Sequence, residues 1–293
     1  MPLQLPWQIH PRPADHVLDT HDYGKLYSLL GVYVTVTLTG GDMKSGHAVT
    51  AIAPVLCAGV GVRSDSRWAL RMASFRLDQS GLGSAALGIA TPRSPAATAL
   101  IGLLSGHVAP EYGSLHVLGY DMNFAAGRAA VRRQTGVASR SSRPVAATRI
   151  RALIERAARK SGQRRTDRQL LVAAILDRLA LVPWADVAIG AAPELIARKA
   201  RLAVAAVHQP KLLLIDSLLD QVQPLDRTVL ADVIRDFNRD TPIIALGADA
   251  DALMLVCDRV ISLSGSILVG TPRTPAMADD GDDDLVRIAH SRR

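Results

Sequence analysis

Aromatic residues are scarce, at 4% of the chain, and nothing spaces them for stacking on bases. With no helix-turn-helix pattern and no zinc-module spacing either, the sequence argues against nucleic acid as a partner. Cysteine is rarer still: Cys57 and Cys257 read as small buried apolar residues in a reducing compartment, which excludes a disulfide framework. Long apolar runs are missing too. The run 29–38 contains Tyr33 and Thr35, and 48–62 is interrupted by Pro54, against the roughly 18 to 20 apolar residues that a spanning helix needs. The opening Met1-Pro2-Leu3-Gln4-Leu5-Pro6-Trp7 has no basic stretch ahead of an apolar core, so no signal peptide is expected.

What is present suits a folded α/β protein. At 293 residues and 48% hydrophobic content, the chain can bury a full core as one large domain with subdomains or as two domains. Residues 1–53 read as an N-terminal extension with a Pro/His-rich opening, a β-branched run at 31–39 and a turn at Gly40-Gly41-Asp42. Strands dominate 54–139, a helical subdomain is expected over about 140–200, and 201–272 alternates strand and helix as parallel sheets with crossovers do. The tail, 273–293, carries the acidic run Asp279-Asp280-Gly281-Asp282-Asp283-Asp284, a solvated segment.

The most informative stretch is Leu87-Gly88-Ile89-Ala90-Thr91-Pro92-Arg93-Ser94-Pro95-Ala96-Ala97-Thr98. It reads as a strand, turn and helix where a phosphate-binding loop would sit, without that loop's chemistry. A G-x-x-x-x-G-K-[ST] cradle needs glycines for backbone approach, a lysine for charge and a hydroxyl for Mg²⁺. Thr91 and Ala96 replace the glycines, Ala97 replaces the lysine, and only the hydroxyl, Thr98, survives. Ser94-Pro95 instead supplies an N-cap followed by proline at the first helical position, so the helix satisfies its own orphan N–H groups. Arg93 is the one nearby cation that could compensate for the lysine. A second run, Gly41-Asp42-Met43-Lys44-Ser45-Gly46, mimics the motif but precedes no helical pattern.

Around this loop, several segments fall in the order of the nucleotide-binding domain of ABC transporters, and over 56–272 the chain resembles that family. The helix end Leu103-Leu104-Ser105-Gly106, the turn Pro110-Glu111-Tyr112-Gly113, the strand His208-Gln209-Pro210-Lys211-Leu212-Leu213-Leu214-Ile215-Asp216 and the terminal hairpin from Cys257 to Pro272 carry the resemblance. It implies an ABC-type P-loop NTPase fold: a mixed sheet with a RecA-like core, an antiparallel β subdomain and a helical subdomain. Carried over residue by residue, Asp216 keeps the Walker B aspartate, and Asp216 and Thr98 are the metal ligands only if a Mg-nucleotide binds. Ser217 stands where the catalytic glutamate belongs, Gln223 at the D-loop aspartate, Ala248 at the switch histidine and Arg140 at the Q-loop glutamine. The base-stacking aromatic falls near Ser64, with Trp68 close by. The signature segment falls at Ala192-Pro193-Glu194-Leu195-Ile196, where Pro193 lacks an N–H and Glu194 brings a carboxylate to a phosphate's place; proline is expected at the first helical position with the acid in the first turn.

The resemblance therefore implies a pseudo-ATPase with no cofactor expected, ATP and Mg entering only if residual binding persists. The implied role is a structural or regulatory subunit beside an integral membrane permease, peripheral at the cytoplasmic face of the cell membrane, as a homodimer or a heterodimer with another ABC-type subunit. In such a dimer Arg93 of one copy would face Glu194 of the other. The alternatives are a divergent but working ATPase subunit and a soluble scaffold without a membrane partner. The region 140–201 is strongly basic, with Arg143, Arg149, Arg151, Arg156, Arg159, Lys160, Arg164, Arg165 and Arg168 outnumbering Glu155 and Asp167. A solvated helix face, a surface for anionic lipid or an acidic partner, and a nucleic-acid surface are its three readings.

Overall fold

The computed structural model describes residues 53–64, 67–78, 85–140, 146–264 and 267–269. In chain order these form β1 (Val55–Ser64), β2 (Arg67–Leu77), β3 (Ala86–Ala90), α1 (Pro95–Leu104), β4 (Tyr112–Val117), β5 (Tyr120–Asp121), α2 (Ala125–Gln134) and β6 (Thr135–Ser139). There follow α3 (Ile150–Ala158), a 3₁₀ turn (Arg159–Ser161), α4 (Arg165–Arg178), α5 (Glu194–Ala206), β7 (Leu212–Asp216), α6 (Pro224–Asn238), β8 (Ile243–Gly247), α7 (Ala250–Met254), β9 (Arg259–Ser264) and β10 (Ile267–Val269). All of them belong to one unit, Ala51–Arg293. The extension up to residue 52, the loop Gly41 to Gly46, Arg143 and the acidic tail lie outside the described residues.

Two sheets result. An antiparallel sheet has the order β2-β1-β4-β5, and a six-stranded sheet has the order β10-β9-β3-β8-β7-β6. In the second sheet β9, β3, β8, β7 and β6 run parallel and β10 closes the edge as a hairpin with β9. The inner strands read as unbroken apolar runs because both their faces are covered. Along β7, Leu213 and Ile215 enter one core cluster while Leu212 and Leu214 enter the other, as the two-residue period of a strand demands. The first cluster packs α3, α4, α5 and α6 on one face. The second traps Leu100, Leu103 and Leu104 of α1 between the two sheets. Gly136 of β6 faces the end of α5 closely enough that a Cβ there would lie 2.1 Å from the Ala205 carbonyl oxygen, so glycine is required for that approach.

Both cysteines are buried and free. Burial pushes the Cys57 thiol up to about 12 and raises that of Cys257 as well, so neither is a nucleophile near neutral pH.

Parallel register sets where any site must be. Ala90 pairs with Gly247, Leu246 with Asp216, and Asp216 with Ser139, so the carboxyl ends of β3, β8, β7 and β6 are level. The loops leaving these four strands meet along one edge, the place where open parallel sheets bind ligands.

Candidate functional site

The first loop to reach this edge leads into α1. Ser94 is its N-cap with φ of −154°, Pro95 takes the first helical turn, and the Ser94 hydroxyl accepts from the Ala97 N–H at 3.3 Å. The Thr91 N–H donates to the Gly247 carbonyl at 2.8 Å, and the Thr98 N–H to the Ser94 carbonyl at 3.2 Å. The Thr98 hydroxyl turns to that same carbonyl at 3.4 Å. Ala96 and Ala97 are buried in the second core cluster, so the position that a lysine would need points into packed side chains. Ser94→Ala is expected to cost about 1 kcal/mol, the usual worth of a side-chain cap, read as a lowered denaturation midpoint.

The second loop follows β7. The Asp216 carboxylate accepts from the Ser139 hydroxyl at 2.6 Å and from the Ser217 hydroxyl at 3.0 Å. Ser217 is buried and has φ of +56°, a left-handed conformation, with its N–H on the Leu246 carbonyl at 2.8 Å. Three residues on, Asp220 accepts the Ala248 N–H at 3.0 Å, which joins this loop to the one after β8. Gln223 is the N-cap of α6 without a side-chain cap bond.

Arg140 ends β6 and donates to the Gln221 side-chain oxygen at 2.7 Å. Its Nε lies 4.0 Å from Glu194 on α5. The structure places Pro193 one residue earlier than expected, as N-cap of α5 rather than inside it, because its ψ of 150° is extended; Glu194 is then the first helical residue. Ala192, Leu195 and Ile196 pack against the first core cluster. Glu194 accepts from Arg198 Nε at 2.8 Å, one turn along. Its Oε1 is thus already engaged within the chain.

Sequence reasoning missed Arg198. Its side chain is wholly buried, and NH1 donates to the carbonyls of Leu218 at 2.5 Å and Asp220 at 2.8 Å. Burial lowers its pKa and Glu194 opposes that shift. One guanidinium therefore ties the start of α5 to the loop after β7, which Asp220 ties in turn to Ala248. No local signal marks this, since its partners are 20 and 22 residues away.

Where these loops meet there is an open cavity of about 810 Å³, lined among the described residues by Pro92, Arg93, Arg140, Asp220, Gln221, Ala248 and Asp249. The expected phosphate-loop, Q-loop and switch positions thus converge, while Gln223 and the segment 192–196 are not in its lining. Asp249 is occupied by Arg227 at 3.0 Å and caps α7. Trp68 is committed elsewhere: Arg63 lies over its ring at 4.3 Å and Tyr112 meets it edge-on.

Pro92 and Pro95 have no N–H, the Thr91, Ala97 and Thr98 N–H groups are engaged within the chain, no lysine lines the cavity among the described residues, and both Asp216 oxygens take hydroxyl donors. Among the described residues no group of three or more His, Cys, Asp or Glu could hold a metal ion.

The architecture itself matches known structures. It superposes on cbiO1 from Clostridium perfringens, part of the ABC transporter complex cbiONQ, with a TM-score of 0.66 at 15% identity, covering 75% of this chain and 88% of that one. The chain has the fold of an ATP-binding cassette. A nucleotide-free ATP-binding cassette from an ABC transporter gives a TM-score of 0.63 at 13% identity, covering 75% of this chain and 90% of that one. The ATP-binding subunit of an ABC transporter gives 0.61 at 15%, covering 73% and 87%. No protein-family model and no curated protein sequence matches, so the cassette likeness is carried by the backbone.

Proposed function

We propose that this cassette-fold chain is a non-hydrolysing structural or regulatory subunit of a membrane transport complex. It docks on a multi-span membrane protein at the cytoplasmic face and pairs with itself or with another cassette-type subunit. The observation that carries the reading is the N-terminus of α1, where Ser94 answers the helix donors and Ala97 is packed into the core. What a bound phosphate does for a cassette, the chain does here for itself. Support for a membrane partner comes from the neighbours, one of which is part of an ABC transporter complex. Among the described residues no helix is long and apolar enough to cross a membrane, which suits a peripheral place in such a complex.

One observation favours a divergent, working ATPase instead: Arg93 and Arg140 line the same cavity. Arg140, however, is held by Gln221, and an arginine on the loop differs in reach and geometry from a helix-borne lysine and lacks its compact charge. Affinity isolation of the tagged chain from native membranes tests the partner. A multi-span membrane protein in fixed stoichiometry is expected, and recovery of the chain without one would overturn the reading.

A further inference from the structure

The formal charge of +7 is not spread over the chain. Between residues 149 and 168 there are eight arginines and lysines and two acids, which is +6 of that surplus, leaving +1 for everything else. The structure gathers the core of this run at one corner. Arg156 lies in the last turn of α3, Arg159 and Lys160 in the 3₁₀ turn, and Arg164 and Arg165 at the N-cap and first position of α4. Gly162, at φ of +70°, makes the left-handed turn that brings the two helix ends together. All five cations are exposed, and none is in an ion pair among the described residues. By contrast Arg151, just behind, pairs with Asp186.

The start of α4 sets the corner apart from an ordinary solvated face. Arg164 and Arg165 sit at the positive end of the helix dipole, where cations are disfavoured and anions favoured, and Arg164 gives no side-chain cap. Internally this placement is unfavourable; beside a negatively charged surface it is favourable. A cluster of exposed cations suits the headgroup layer of an anionic bilayer, whereas nucleic acid would call for aromatic rings that this corner lacks.

We propose that the α3–α4 corner binds the surface of an anionic lipid bilayer, with Arg156, Arg159, Lys160, Arg164 and Arg165 on the headgroups. The inference goes beyond the proposed subunit role, because it concerns the chain and lipid alone. Failure of the vesicle experiment leaves the pairing with a membrane protein standing, and the converse also holds.

The test is flotation of the full chain with phosphatidylcholine vesicles, with and without phosphatidylserine. Binding is expected only when phosphatidylserine is present, and it weakens as salt rises. The triple variant Arg159→Gln/Lys160→Gln/Arg164→Gln is expected to lose roughly a hundredfold in partitioning, about fivefold per charge. A control triple with the same net charge, Arg67→Gln/Arg71→Gln/Arg133→Gln, should bind as the parent does. Equal losses in the two triples would reduce the effect to net charge and overturn the proposal. So would equal binding to pure phosphatidylcholine, no binding to either vesicle, or binding to single-stranded RNA that exceeds the binding to phosphatidylserine vesicles at the same salt.

Discussion

Titrated with MgATP into the millimolar range, the chain is expected to give no binding heat. Several elements that would hold the ligand are absent or engaged, and Arg93 is the cation left in the cavity lining. The N–H groups of Thr91, Ala97 and Thr98 already have acceptors, Ala97 leaves no cation on the helix, and Asp216 is bonded by two hydroxyls. The ring of Trp68 is covered by Arg63. Restoring one group should not rescue turnover, because catalytic groups act as a unit and single replacements recover little. Ser217→Glu illustrates why. The position is buried, left-handed and bonded to Asp216, so a glutamate there would place a second carboxylate beside the first without solvent, raising its own pKa and removing a hydrogen bond. The variant is expected to be less stable than the parent and still inactive. Micromolar affinity for MgATP, or sustained hydrolysis by this single variant, would show that the site has been misjudged.

Arg198→Ala is expected to lower stability by about 3 kcal/mol, since it strips donors from two carbonyls and leaves a void under the start of α5. Glu194→Ala, at the other end of the same contact, should cost less than about 1 kcal/mol because its carboxylate is more than half exposed. Chemical denaturation of the two variants checks the difference. Comparable losses would mean that the ion pair, not the bonds to Leu218 and Asp220, is what matters. Arg198→Met separates volume from hydrogen bonding: it keeps the packing and removes the donors, so it should fall between the parent and the alanine variant. Hydrogen exchange over 217–223 is expected to rise in both variants, because the loop loses its two bonds to Arg198 and keeps those of Ser217 to Leu246, Asp220 to Ala248 and Gln221 to Arg140.

Position along the chain was informative wherever the physics is local. The Ser94 cap involves a donor three residues away, so Ser-Pro ahead of an apolar helix was enough to expect it. The buried strands announced themselves as unbroken runs such as Leu212-Leu213-Leu214-Ile215, and the order of strand, turn and helix segments carried the cassette architecture although solved cassettes share only 13–15% identity with it. The proline of the signature segment was placed one residue too far into α5, because its ψ is decided by the chain entering the helix and not by proline's preference for the first turn.

By itself, then, the sequence determined the buried strand runs, the Ser94 cap and the basic bias of 140–201. Only tertiary structure decided what fills the gaps. Asp216 meets Ser139 across 77 residues, Arg140 meets Gln221 across 81, and Arg198 reaches the carbonyls of Leu218 and Asp220. A hydrogen bond needs atoms about 3 Å apart, and over such separations that distance is set by strand register and helix packing, which no residue pattern encodes on its own.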